Sequence, residues 1–254
     1  MTTQYESLKG AVAVVTGGAS GIGAALVEAF CEQGSRVCCL DLDREAGTAL
    51  EGALNRRHGA GSVLFLPCDL TDIAALQAAL VRSHELLGPA SVLVNNAAND
   101  RREEFLGVEP EQFDFMMAVN LRHVYFASQA IVPQMQQLGG GAIINMSSGA
   151  WVAGNSDATA YATAKAAIVG LTNSLARRLG GDRIRVNALA PGAVRTERQM
   201  RLWHSEDSMQ AIIAQQCIHE TLLPEHVAKT VMFLASEDAA MISKQLIFVN
   251  GGLR

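Results

Sequence analysis

Ala11–Gly23 reads AVAVVTGGASGIG. Six small or β-branched residues, Ala11–Thr16, form a run with no polar face. A strand buried on both faces has this pattern. Glycines at 17, 21 and 23 follow at once, and Gly21–Gln33 then has helical periodicity, closed by Gly34. A strand, a glycine turn and a helix N-terminus together make an anion site, because free N–H groups and the positive end of the helix dipole point into the turn. Gly23 is followed by Ala24-Ala25, so the lysine that a phosphate-binding P-loop needs is absent. Leu26 stands where the common GxGxxG pattern has glycine or alanine, and the spacing here is GxxxGxG. The turn residues Gly17, Ser20, Gly21, Ile22 and Gly23 are therefore candidates for holding the pyrophosphate of a dinucleotide.

The alternation of strand and helix continues outward from that turn. Strands are expected at Arg36–Asp41, Ser62–Pro67, Ser91–Asn95, Gly141–Ser147, Ile184–Leu189 and Gln245–Val249. Helices are expected at Asp43–Arg57, along the stripe Ile73, Leu76, Leu80 and Leu87, over Glu111–Leu138 with Pro133 as a possible kink, over Ala158–Leu179, and from Pro224 with Val227, Val231 and Leu234 on one face. This rhythm predicts an α/β fold: one Rossmann-type doubly wound domain, residues 1–254, with a seven-stranded parallel sheet and helices on both faces. Residues 192–223 break the rhythm and are expected to be a substrate lid inserted at the strand C-terminal edge.

Composition narrows the function classes. Of 254 residues, 49% are hydrophobic and 18% charged, which excludes a disordered chain. Twenty Lys and Arg against 25 Asp and Glu give a net charge of −5 with no basic block, so nucleic acid is not an expected partner. No apolar run is long enough to span a membrane, and MTTQYESLKG lacks a hydrophobic signal core. Cys31, Cys38, Cys39, Cys68 and Cys217 include no CxxC pair. They read as reduced thiols, mostly buried, in a cytoplasmic protein, and no metal site is expected.

Asp41 ends the second strand, 18 residues beyond Gly23. A carboxylate there can accept both adenosine ribose hydroxyls and would repel a 2′-phosphate, which favours NAD over NADP. Neighbouring Leu42 and Ser20 supply no cation. Asp43 is a rival for the ribose, though a helix N-cap suits it better. Asp69 could accept from the adenine amino group or only cap its loop. Tyr161 and Lys165 lie one helical turn apart, so a lysine charge could lower the phenol's pKa and make Tyr161 a general base. Ser148 lies 13 residues upstream at the end of a strand, where its hydroxyl could hold a substrate oxygen.

Taken together, TGGASGIG, Asp69, the run Asn95-Asn96-Ala97-Ala98, Asn120, Ser148, the Tyr161/Lys165 pair and Pro191-Gly192 make the whole chain resemble the short-chain dehydrogenases/reductases. The resemblance implies a catalytic tetrad of Asn120, Ser148, Tyr161 and Lys165. Asn120 would hold a water against Lys165, and Lys165 would bind the nicotinamide ribose. It also implies cofactor contacts from Asp69, Leu70, Asn96, Ala97, Pro191, Gly192, Val194 and Thr196, and a homotetramer. Ala98 stands where the family usually has glycine, and Asn250 where it usually has aspartate.

A narrower resemblance is carried by NNAANDRREEF, MAVNLRHVYF, VRTERQMRLWHSEDSMQ and AQQC, which are similar to bacterial NAD-dependent aldose 1-dehydrogenases of the D-xylose type. It implies oxidation of an anomeric carbon to a lactone. Asn99 and Asp100 would hydrogen-bond sugar hydroxyls, Trp151 would offer an apolar wall, and Arg195, Gln199 and Trp203 would face the sugar from the lid. Each has a plainer reading: a turn for Asn99 and Asp100, packing for Trp151, a surface charge for Arg195. The stretch His219-Glu220-Thr221 departs from the more basic segment of that group. Alternatives are a dehydrogenase of another polyol, sugar acid or secondary alcohol, a 3-oxoacyl-carrier-protein reductase, and a non-catalytic binding protein.

Overall fold

All five residues of β1 (Val12–Thr16) are buried, so no face of this strand meets water. The computed structural model describes residues 3–253; Met1, Thr2 and Arg254, the ends of the expected 1–254 domain, lie outside the described residues. β1 pairs in parallel with β2 (Arg36–Asp41) on one side and β4 (Val92–Asn95) on the other. β3 (Val63–Pro67), β5 (Gly141–Met146), β6 (Ile184–Pro191) and β7 (Leu246–Val249) complete a seven-stranded parallel sheet in the order β3-β2-β1-β4-β5-β6-β7. The order reverses between β1 and β4, and the crevice that opens there, beyond the strand C-termini, is where ligands bind in such sheets.

Side chains alternate between two cores, as a pleated strand requires. Ala13, Val15, Val37, Cys39, Val92, Val94 and Ile144 pack on one face, under α1 (Gly21–Glu32), α2 (Arg44–His58) and α10 (Pro224–Ala235). Val12, Val14, Cys38, Leu40, Leu93 and Ile143 pack on the other, under α3 (Ile73–Leu87), α5 (His123–Leu138) and α7 (Thr159–Leu179). A slip of one residue would exchange the two sets, so this pattern fixes the register. Gly47 lets α2 approach β3: a Cβ there would lie 2.1 Å from the Phe65 ring. Between β4, β5 and the helices, a buried polar chain runs from Ser128 through Asn95 and Asn145 to Thr172, with bonds of 3.3, 2.8 and 3.0 Å. It ties the strands that carry the site to α5 and α7.

The expected single helix over 111–138 is three pieces. α4 (Pro110–Met117) passes through a π-turn at Ala118–Arg122 before α5 begins. A π-turn accommodates one extra residue, and this one turns Asn120 inward, where it is fully buried. The segment 192–223 contains two short helices, α8 (Glu197–Leu202) and α9 (Glu206–Ile213), and no strand. A further short helix, α6 (Ala150–Ala153), follows β5 and went unread in the sequence. Among the described residues, no helix is long and apolar enough to cross a membrane. The five cysteines are free thiols and four of them are buried, which pushes Cys31 and Cys38 up to about 12 and Cys68 up to about 11.

Candidate active site

The glycine turn is built against the loop that follows β4. Thr16 Oγ1 accepts from the N–H groups of Asn96 and Ala97 at 3.0 and 3.2 Å. The Asn96 amide donates back to the carbonyls of Thr16 and Gly17 at 3.1 and 2.9 Å. Gly17 has φ +64°, and a Cβ there would sit 2.6 Å from the Ala97 Cα; a Cβ on Gly23 would sit 1.8 Å from the Gly17 carbonyl oxygen. These two glycines are thus required by the packing of the turn itself. Ser20 makes no side-chain cap on α1, so the first N–H groups of that helix keep their capacity for an anion. Ile22 borders the turn, and Gly21 faces the Thr196 methyl across it, 3.3 Å from the position of a Cβ.

Asp41 stands at the C-terminal end of β2 with one carboxylate oxygen on Ala19 N at 2.9 Å and the other on Asp43 N at 3.0 Å. Asp43 caps α2 by accepting from Ala46 N. Asp69 accepts from both the N–H and the hydroxyl of Thr71, which makes it a loop cap in this state, and Leu70 beside it is buried. On the far side, Gly192 packs against Asn250, whose Cβ would meet one on Gly192 at 2.8 Å, and Pro191 accepts from Gly149 N. Val194 is buried, and Thr196 Oγ1 caps α8 through Gln199 N.

Beyond β5 the pleat separates two adjacent serines. Ser147 turns inward, donating to the Lys165 carbonyl at 2.8 Å and accepting from the Trp151 indole at 3.2 Å. Ser148 faces the Tyr161 phenol and favours its anion. Lys165 is 1% exposed; its ammonium donates to the Met146 carbonyl at 2.8 Å and lies 5.7 Å from the centre of the Tyr161 ring. Asn120 accepts from Asn99 N and donates to the carbonyls of Asn99 and Met116, all at 2.9–3.0 Å, so its side chain braces the loop after β4. The protons of its amide are both used, and a water held against Lys165 would rest on its remaining acceptor capacity.

The electrostatics correct one expectation. Tyr161 is raised to about 12 rather than lowered, because loss of water around the phenol outweighs its favourable contacts. Burial also brings Lys165 down to about 7, with Asp100 opposing. A lysine that is only partly charged at neutral pH gives the phenol less help than adjacency on a helix suggests.

The substrate side is closed by α8. Asp100 receives Arg198 on one oxygen at 2.9 Å and Gln199 on the other at 2.5 Å. Arg195 is paired on both nitrogens with Glu206 of α9. Asn99 Oδ1 accepts from Arg101 N, a turn contact. Trp203, at the end of α8, lies over the Arg102 guanidinium, 4.9 Å from the ring centre, and Arg102 bonds Asp157 at 2.6 Å. Arg102 and Arg198 lie inside stretches that carry the narrower resemblance but were not singled out, and Asp157 was missed. Glu103 was missed as well: it accepts from the Thr159 hydroxyl and Ala160 N at the start of α7, which fixes that helix end against the loop.

Known proteins resemble this chain along nearly its whole length. A family described as enoyl-(acyl carrier protein) reductase matches residues 17–254. A probable galactose dehydrogenase of Rhizobium meliloti (strain 1021) is 43% identical over 99% of this chain and 98% of its own. A D-xylose 1-dehydrogenase of Caulobacter vibrioides (strain NA1000 / CB15N) is 42% identical over 98% of each chain. A structure solved for a candidate short-chain alcohol dehydrogenase of Sinorhizobium meliloti 1021 superposes with a TM-score of 0.91 at 28% identity, covering 98% of each chain.

Proposed function

The chain belongs to the short-chain dehydrogenase/reductase family, an oxidoreductase family that uses a nicotinamide cofactor, and on that premise we propose that it oxidises the anomeric hydroxyl of an aldose to a lactone with NAD. One observation carries the chemistry: Ser148, Tyr161 and Lys165 meet at the C-terminal edge of the sheet, with β4 alone between their strand and that of the glycine turn. The sugar is supported by relatives named for galactose and D-xylose at 43% and 42% identity over nearly the whole chain.

Bound in the crevice, the cofactor would lie with its pyrophosphate on the uncapped N-terminus of α1 and its adenosine ribose on Asp41, and it would supply the hydride acceptor. Asp41 already accepts two backbone N–H groups and has exposed Leu42 beside it, so a 2′-phosphate would meet a fixed carboxylate with no cation in the turn. Ser148 holds the substrate oxygen by its hydroxyl. Tyr161, as phenolate, takes the proton from the hydroxyl oxygen while the hydride leaves the carbon that bears it, and the C–O single bond becomes the lactone carbonyl. Lys165 would hold the nicotinamide ribose, and the phenolate beside it favours the ammonium form of its side chain.

Asn99, Trp151 and Gln199 are the proposed sugar contacts beside the reacting atoms. Gln199, Asp100 and Arg195 would reach a sugar only by exchanging their present partners. The residues 192–223 act as the lid of a single catalytic domain. An exposed apolar surface on α5 and α7, where Tyr125 is 49% exposed, supports a homotetramer, and buried free thiols fit a cytoplasmic location. NADH formation across pentoses, hexoses, 6-deoxyhexoses and sugar acids, with lactone followed by NMR, tests the reading. No turnover of any free aldose beside clear oxidation of a non-sugar alcohol would overturn the sugar assignment and leave the tetrad standing.

A further inference from the structure

We propose that Asp100, Arg198 and Gln199 form a charged latch that closes α8 over the reacting atoms and places two opposed charges beside the Tyr161 base. The proposal rests on the reading of Tyr161 as the base and not on the identity of the sugar.

Asp100 is presented from a rigid platform. The residue before it, Asn99, is clamped at both its N–H and its carbonyl by the buried Asn120 of the π-turn. Its carboxylate is 21% exposed and both oxygens are engaged from α8, one by Arg198 and one by Gln199. α8 has only six residues and lies outside the sheet, so bonds of this kind are what hold it in place. A second clasp lies two residues on, where Arg102, anchored on Asp157, supports Trp203 at the end of the same helix.

The two charges act on the phenol with opposite sign. Asp100 disfavours the phenolate and Arg198 favours it. With the latch closed, Arg198 offsets Asp100. With α8 withdrawn, Asp100 faces Tyr161 alone and makes it a weaker base, so lid closure and proton abstraction become coupled. Among the other groups around the phenol, Lys165 lies on the same helix and is drawn toward its charged form by Asp100, and Ser148 is uncharged. Arg102 is paired with Asp157, and Glu103 is held by Thr159 and Ala160. His204 is shifted down by burial and by Arg102, and fully buried His123 is shifted down to about 3 by burial and by Lys165. Burial therefore disfavours the charged form of both imidazoles, with Asp100 opposing it at His204. Asp100 and Arg198 are in this account positioning residues.

Two measurements test it. In the cofactor-free chain, hydrogen exchange over residues 197–203 should be several-fold faster in Asp100→Ala and in Arg198→Ala than in the parent. Unchanged exchange in the folded variants would overturn the latch; Arg198 is 43% exposed, so its variant keeps the test alive if Asp100→Ala misfolds. For the charges, Asp100→Asn should move the acidic limb of the kcat/KM–pH profile to lower pH, and Arg198→Gln should move it to higher pH, each by more than ~0.3 pH unit. The Asp100→Asn/Arg198→Gln double variant should fall between them. A purely structural role would lower the rate without moving the two limbs apart. Shifts in the same direction, or none, would refute the electrostatic half, whichever alcohol serves as substrate.

Discussion

Lys165→Met should abolish turnover and stabilise the cofactor-free fold, with a gain that disappears as pH rises. Lys165 is 1% exposed, and burial lowers it from 10.5 to about 7. At about 1.4 kcal/mol per pH unit, that difference makes the buried ammonium cost about 5 kcal/mol below pH 7, where both folded and unfolded chains hold the proton. Between about 7 and 10.5 the folded chain has released the proton while the unfolded chain keeps it, so the parent gains stability with rising pH. At pH 9 the remaining cost is about 2 kcal/mol. Met has similar bulk and no charge, but it leaves the Met146 carbonyl without its donor, a loss of about 1–3 kcal/mol. The net expectation is a gain of about 2–4 kcal/mol at pH 6 and close to zero at pH 9. For a chain of this size, each kcal/mol moves Tm by roughly 2–4 °C. Thermal unfolding of parent and variant at the two pH values reads this directly. A variant less stable at pH 6, or one with the same gain at both pH values, would refute the argument that burial of the ammonium sets its proton affinity.

Asp41→Ala should raise the KM for NAD and narrow the preference over NADP, because the carboxylate that excludes a 2′-phosphate is gone; equal kcat/KM for both cofactors in the parent would contradict this. Ser148→Ala should lower kcat by ~10²-fold or more, as loss of an oriented polar group at the reacting oxygen does, whereas Ser147→Ala should keep most of the rate and lose about 1 kcal/mol of stability. The reverse ranking in steady-state assays would exchange their roles. Asn145→Ala should lower unfolding free energy by about 1–3 kcal/mol, because it leaves the Asn95 amide with only its long bond to Ser128 and removes the donor to the buried Thr172 hydroxyl; denaturant titration checks it.

What the sequence disclosed and what it hid divide along physical lines. β1, its glycines and α1 were legible because a strand buried on both faces and a tight turn each impose a local composition. Tyr161 and Lys165 were legible because a helix brings i and i+4 together. The choice of Ser148 rested on its 13-residue interval to Tyr161, and Asp43 as a helix cap followed from its place before α2. The π-turn at 118–122 was not legible, since the extra residue is accommodated only by packing of Asn120 against the loop after β4. The Asp100–Arg198 contact joins residues 98 positions apart on two segments without a periodic pattern. The proton affinity of Tyr161 was misjudged for a related reason. Spacing gives adjacency, but burial, which no spacing reports, decides whether the lysine is charged.

The central claim is that hydride leaves the anomeric carbon of a sugar. An aldose deuterated at C1 tests it most directly, with the reduced cofactor recovered and examined by proton NMR. The account predicts deuterium at the nicotinamide C4 of the recovered NADH and a slowed kcat/KM for the labelled sugar. Unlabelled NADH formed at the full rate from the C1-deuterated aldose would show that another carbon is oxidised and would contradict the account.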